Sequence, residues 1–194
     1  REVFFAAMDA ANIDLKAFTE RFYWKICGGH LEPVLETLKY LENETDVWFE
    51  LTCLLIPGEN DTEAEIDKMT EWIIGNLGPD VPLHFTAFHP DWKMRDKLPT
   101  PIRTLKRSRE IALGNGLFHV YTGNVHDREG SSTYCHQCGE TLIGRDWYQL
   151  SDWALEINDG VAACRCCGSN ISGVFEQQPG TWGGRREPVK ISPV

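Results

Sequence analysis

Two periods of apolar residues divide most of this chain into alternating elements. Asp9–Lys16 reads as a short strand. A helical piece around Thr19–Ile26 ends at Gly28-Gly29, and Cys27 is expected in the core. Leu31, Val34, Leu35, Leu38 and Leu41 then fall on one helical stripe. Val47–Ile56 is rich in β-branched, aromatic and aliphatic residues, and Pro57-Gly58 stops it. Within it, Cys53 shares the apolar face of Val47, Phe49 and Leu51, which predicts a core thiol. Thr62 and Glu65 have capping-box spacing and open a helix whose buried face is Ile66, Met69, Ile73 and Leu77. Pro82–Phe88 is the next strand. Thr100-Pro101 predicts an N-cap and first-turn proline for a helix that stops at Gly114-Asn115-Gly116, and Phe118–Thr122 closes the series. Strands alternating with helices predict parallel strands joined by crossovers.

The polar residues inside these strands change the picture. Parallel strands covered on both faces are nearly all apolar. Here Asn12, Asp14 and Lys16 share one face, as do Glu50 and Thr52, and then His84 and Thr86, with His89 just past the strand. Polar groups near the carboxyl ends of parallel strands mark the active side of a barrel or open sheet. For Asp14 and Lys16 the competing reading is a buried ion pair across the sheet, and for His84 a hydrogen-bonded core histidine. The acidic run Glu59–Asp67 reads as a solvated helix start.

Residues 131–176 form a second, smaller unit. Cys135-His-Gln-Cys138-Gly and Cys164-Arg-Cys166-Cys167-Gly are two metal knuckles separated by 25 residues. Two-residue spacers turn both thiolates of a pair toward one ion, and the glycine lets backbone amides approach the sulfurs. Four soft ligands (Cys135, Cys138, Cys164 and Cys167) suit a closed tetrahedral zinc site, or iron as in rubredoxin. The glycine after Cys167 favours it over Cys166. Asn158-Asp159-Gly160 is a hairpin signal in this unit. Residues 177–194, with glycines, prolines and two arginines, read as a loose tail.

The chain has 194 residues and a formal net charge of −10, which excludes the basic footprint a nucleic-acid surface needs. No apolar run is long enough to span a membrane and no signal peptide is visible. Cysteines paired for metal, with Cys27 and Cys53 unpaired, suit a reducing cytoplasm.

A series of motifs carries a family resemblance. These are Asn12-Ile-Asp14-Leu-Lys16, Phe22-Tyr23-Trp-Lys-Ile-Cys-Gly28-Gly29, Leu55-Ile56-Pro57-Gly58-Glu-Asn60-Asp61, Phe85-Thr-Ala-Phe88-His89-Pro90 and Tyr121-Thr-Gly123-Asn124-Val125, followed by the two knuckles. In this order, over residues 1 to 176, they resemble the AmmeMemoRadiSam system radical SAM enzyme, a relative of pyruvate formate-lyase activating enzymes. The resemblance implies a (β/α)6 partial TIM barrel and a [4Fe–4S] cluster held by Cys-x3-Cys-x2-Cys. That cluster reductively cleaves S-adenosylmethionine (SAM), and the resulting 5′-deoxyadenosyl radical abstracts hydrogen from a substrate or partner. It implies that Asp14 and Lys16 lie near the ribose and methionine carboxylate of SAM, Asp14 also being open to a cation site, and His89 near the adenine. It further implies a Memo-like or AMMECR-like partner. Two departures stand out. Thr52 occupies a position where activating enzymes often carry arginine, and Cys-x3-Cys-x2-Cys occurs nowhere in the chain. The resulting expectation is the carboxyl-terminal half of such a barrel over residues 1–126, with the cluster loop upstream of Arg1 and the first strand left with an unpaired edge.

Overall fold

In a computed structural model the structure describes residues 1–180, so that residues 181–194 of the expected tail lie outside the described residues. After a short helix α1 (Glu2–Phe5), four strands alternate with helices: β1 (Ala10–Asp14), α2 (Glu20–Phe22), α3 (Leu31–Glu44), β2 (Trp48–Leu55), α4 (Glu63–Leu77), β3 (Leu83–Ala87), α5 (Ile102–Gly114) and β4 (Val120–Gly123). The strands form one parallel sheet in the order β1-β2-β3-β4. Sequential neighbours in a parallel sheet need crossovers, and the helices supply them.

One face of this sheet is apolar and the other polar. Phe49, Leu51, Cys53 and Leu55 of β2, Leu83 and Phe85 of β3, and Val120 of β4 are buried. They pack against Leu35, Leu38 and Leu41 of α3, Ile66, Met69, Ile73 and Leu77 of α4, and Leu105 and Ala112 of α5 in one core. Burial of each such side chain contributes roughly 1.5–3 kcal/mol. The alternate residues Glu50, Thr52, His84, Thr86 and Tyr121 are half-buried on the opposite face. A helix layer on one side and polar groups on the other is the arrangement of a barrel wall whose inner face is lined for chemistry. Gly123 serves this face by closeness: a Cβ there would sit 2.9 Å from Thr86 Cγ2.

Several local expectations are corrected. The first strand ends at Asp14, and Lys16 lies beyond it. The helix expected over 19–26 is one α-helical turn capped by Thr19, then a π-helical turn, Tyr23–Cys27, closed by Gly28 at φ 69°. The wider turn rotates Cys27 to the surface, so it is not a core thiol, whereas Cys53 is fully buried. The Thr62/Glu65 capping box does not form. Thr62 makes no side-chain cap bond, and Glu65 Oε1 instead accepts from the Phe18 amide at 2.8 Å, fastening α4 to the loop after β1. Pro101, not Thr100, holds the N-cap position of α5. Thr100 is buried, and its hydroxyl donates to the Leu55 carbonyl and accepts from the Phe88 amide, stitching the ends of β2 and β3 together. The acidic run is only partly solvated, since Glu59 pairs with Lys97 and Glu63 with Arg107.

The rest of the described chain is antiparallel. A helical turn, α5 being followed after β4 by α6 (Arg128–Ser131), leads to β5 (Thr133–Tyr134), β6 (Thr141–Asp146) and β7 (Gln149–Trp153), which pair in that order. A second sheet contains β8 (Leu155–Asn158), β9 (Val161–Cys164) and β10 (Asn170–Ile171), with β9 in the middle. Asn158 pairs with Val161 across Asp159 (φ 50°) and Gly160 (φ 81°), the two-residue hairpin that the sequence predicts. Leu142, Ile143, Leu155, Ala162 and Ile171 close a small core of their own with Cys135 and Cys164.

Candidate functional site

The carboxyl end of β1 gathers polar groups by backbone design. Lys16 is held from two sides: its N–H donates to the Tyr23 hydroxyl at 3.1 Å, and its carbonyl accepts from Asn60 Nδ2 at 2.6 Å. The buried Cys53 thiol lies 3.4 Å from the same carbonyl. Asn60, 1% exposed, also donates to the Leu54 carbonyl and accepts from the Ile56 amide, so one side chain ties the ends of β1 and β2. With its backbone fixed, the Lys16 ammonium turns back onto Asp14 Oδ1 at 2.8 Å. The two side chains are 35% and 54% exposed, so the pair is open to a ligand rather than a buried structural bridge. Cys27 is close enough for both charges to act on its thiol, which partial shielding from solvent pushes upward although the residue lies at the surface. Burial raises the Tyr23 phenol to about 12, which keeps it neutral and able to accept from the Lys16 amide.

His89 stands on the loop after β3, at the same end of the sheet, but it is 78% exposed and bonded to Asp91 at 3.1 Å. The structure therefore brings Asp14 and Lys16 into contact and leaves His89 on a separate loop. Asn60, Tyr23 and Thr100 escaped the sequence reading as site-building residues. The place of Asn60 two residues after Gly58, within the Leu55–Asp61 motif, was the local hint of it.

Further toward the amino ends of the strands, the same face carries a linked set. Thr52 donates to Asn12 at 2.9 Å. Glu50 Oε2 is 2.6 Å from His84 Nε2, and His84 stacks on Tyr121 with ring centres 4.9 Å apart. The His84 hydrogen bond holds the Glu50 carboxyl below the usual range against the opposing effect of burial. His84 is thus hydrogen-bonded, as the competing reading had it, but half-buried on the polar face and not in the core.

The second site is the cysteine quartet. The Sγ atoms of Cys135, Cys138, Cys164 and Cys167 all lie within 4.8 Å of one another, and those of Cys135 and Cys167 are 3.6 Å apart and those of Cys138 and Cys164 3.7 Å. A tetrahedral ion with 2.3 Å bonds to sulfur requires edges of about 3.8 Å. A disulfide requires a sulfur separation of about 2 Å. The quartet therefore fits a metal ion. Cys166 lies outside it and is exposed. The two knuckles have the same hydrogen bonding. Gly139 N–H bonds the Cys135 carbonyl as Gly168 N–H bonds that of Cys164, and the Cys135 and Cys164 amides bond the carbonyls of Glu140 and Ser169. Gly139 (φ 76°) and Gly168 (φ 75°) supply the left-handed turn this needs. The Ser169 hydroxyl, 3.3 Å from Cys167 Sγ, and then its amide lower that thiol to about 6, toward the thiolate a metal requires.

No family model matches the chain. An uncharacterized protein of Methanocaldococcus jannaschii is 42% identical over 164 residues, covering 84% of this chain and 48% of that protein. The chain thus spans about half the length of this curated relative. A crystal structure of a domain of pyruvate-formate lyase-activating enzyme from Bacteroides vulgatus matches with a TM-score of 0.55 at 18% identity, over 63% of this chain and 72% of that one. The chain shares the fold of that domain. Among the described residues, no helix is long and apolar enough to cross a membrane.

Proposed function

We propose that this chain is the carboxyl-terminal part of a cytoplasmic radical SAM enzyme of the activating type. Upstream strands of the barrel would pair along β1 and carry the cluster loop. The observation that supports this most is β1 itself: among the described residues it pairs with β2 alone, beside a sheet face lined by Asp14, Glu50, Thr52 and His84. An open parallel strand is a liability that natural domains cover. The exposed Val3 and Phe4, just before that strand, add apolar surface for the same missing neighbours.

In this reading a [4Fe–4S] cluster, held by residues outside this chain, supplies the reductive cleavage of SAM and the organic radical that takes hydrogen from the substrate. The residues of this chain bind and orient. Lys16 offers its ammonium to the methionine carboxylate, Asp14 accepts from the ligand's amine or hydroxyls, and His89 reaches the adenine from the loop after β3. Asn60 and Tyr23 act only through Lys16, by fixing its backbone. The hydrogen donor would belong to a partner protein, of which Memo-like and AMMECR-like proteins are the candidates. The quartet, with four thiolates and no open ligand position, is structural.

Lys16→Met and Asp14→Asn, made in the full-length enzyme, test the assignment through equilibrium binding of SAM. Loss of a charge-assisted contact costs about 1.5–3 kcal/mol, or roughly ten- to hundredfold in affinity. Wild-type affinity in both variants removes both residues from the site.

A second reading, an electron-transfer module of rubredoxin type, is favoured by the exposure of Cys138 and Cys167 at the quartet. Red protein containing one iron per chain supports it, whereas colourless protein with one zinc removes it.

A further inference from the structure

A separate cavity of about 320 Å³ opens at the other ends of the strands, between the parallel sheet and the cysteine-bearing unit. Trp48 begins β2, Pro82 precedes β3 and His119 precedes β4, and all three line it; Arg145 and Trp153 face them from β6 and β7. Its size falls in the range of small-molecule sites.

The hydrogen-bonding demand of its walls is unmet. His119 Nε2 and Trp153 Nε1 are buried without a hydrogen-bond partner among the described residues, and both residues line this one cavity. An indole N–H can only donate, and a buried donor left unpaired is costly, so an acceptor is expected beside it. His119 is 4% exposed, so solvent at the surface does not satisfy it. Arg145 adds a positive charge. Its Nη1 donates to Thr133 Oγ1 at 2.6 Å and to the Ser131 carbonyl at 3.4 Å, which fixes the guanidinium beside Tyr121. The remaining edge of the fork is suited to a planar oxyanion. Glu50 and Glu176 are also in the wall, Glu50 bonded to His84 and near enough to Arg145 to feel its charge, so the charge of the wall is mixed rather than purely cationic.

We propose that this cavity binds a small carboxylate of amino-acid size, its oxygens taken by Arg145, Trp153 Nε1 and His119 Nε2. An amine on the same molecule would face Glu50. The proposal goes beyond the radical SAM reading and does not depend on it, because its carboxylate contacts come from other residues, toward the opposite ends of the strands, and only Glu50 belongs to both faces.

The test is a titration of the ¹⁵N-labelled chain with succinate, glycine and inorganic phosphate, following the Trp153 indole N–H, assigned by its loss in Trp153→Phe. The expected result is a saturable shift with succinate or glycine; preference for glycine identifies an amino acid, and preference for succinate an amine-free acid. Arg145→Met should weaken binding at least tenfold while the quartet still holds one metal per chain. Should Arg145→Met lose its metal, calorimetry on Trp153→Phe replaces it, with several-fold weaker binding expected. An indole signal that no probe moves, phosphate binding as well as the carboxylates, or unchanged affinity in the variant used overturns the proposal.

Discussion

At one margin of the sheet, β4 is enclosed. Arg109 Nε donates to the Val120 carbonyl, Tyr121 reaches Thr133 of β5 at 2.9 Å, and Gly130 of α6 lies against Thr122 so closely that a Cβ would meet its hydroxyl at 2.2 Å. Val120 and Thr122 are consequently buried. At the other margin, β1 has β2 as its one strand partner among the described residues, and Ala10, Asn12 and Asp14 are exposed. The two strands have similar lengths and the same direction, so propensity does not explain the difference. It comes from what packs on them: β4 is covered by α5, by α6 and by Thr133 at the start of the unit that carries the cysteine quartet, whereas no strand among the described residues pairs with the outer edge of β1. The cover of β4 is built into this chain, while β1 presents free backbone groups as a template for another strand.

Removing the quartet's metal breaks the comparison most strongly. Structural thiolate sites contribute about 10–16 kcal/mol to the folding of small metal domains. Chelation, or Cys164→Ser, should unfold β5–β10 and expose β4 to hydrogen exchange as fully as β1, while β2 and β3 stay protected. Unchanged exchange at β4 would show that its cover does not depend on the metal.

Two single changes sharpen it, one at each margin. Asn60→Ala deletes bonds to Ile56, Leu54 and Lys16 and should cost about 2–4 kcal/mol, loosening the end of β1 and, if the proposed function holds, lowering SAM affinity in the full-length protein. Gly130→Ala forces a Cβ onto Thr122 and Asp127 and should cost about 1–3 kcal/mol, raising exchange at β4 without touching β1. Denaturant midpoints and residue-level exchange measure both.

The smallest effect is a pH dependence on the polar face between the margins. The Glu50 carboxyl is lowered by His84, so its contribution is present above the usual carboxylate value and is lost as pH falls through its folded value. Glu50→Gln should therefore be less stable than the parent at neutral pH by up to about 1 kcal/mol, solvent screening included. The gap should begin to shrink as pH falls through the usual carboxylate range and close below the folded value. A gap that persists in acid would mean that shape, not charge, joins Glu50 to His84.

Much of the parallel sheet was legible because its information is periodic. Phe49, Leu51, Cys53 and Leu55 alternate with polar residues, and Ile66, Met69, Ile73 and Leu77 repeat at helical spacing; each pattern is complete within one element. The quartet was legible because each knuckle is local. What failed depended on distant partners or altered helical pitch. Glu65 spans 47 residues to the Phe18 amide instead of capping its own helix. Asn60 closes on the Lys16 carbonyl 44 residues away. Cys27 was expected in the core as an unpaired thiol, but it lies in a π-helical turn that leaves it exposed. The placement of the cysteine-bearing unit against β4 depends on Tyr121, Thr133 and Arg145 meeting in space, which no spacing in the chain encodes.

The quartet has a sheltered half and an open half: Cys135 and Cys164 are buried, Cys138 and Cys167 exposed. Each knuckle contributes one of each, so an ion held there would have a front door. A competing thiol or chelator meets the exposed pair first, and ligands are displaced in sequence, with Cys135 and Cys164 the last to let go. Metal exchange should then proceed through a species held by the two inner sulfurs alone, at a rate that rises with the concentration of the incoming ligand.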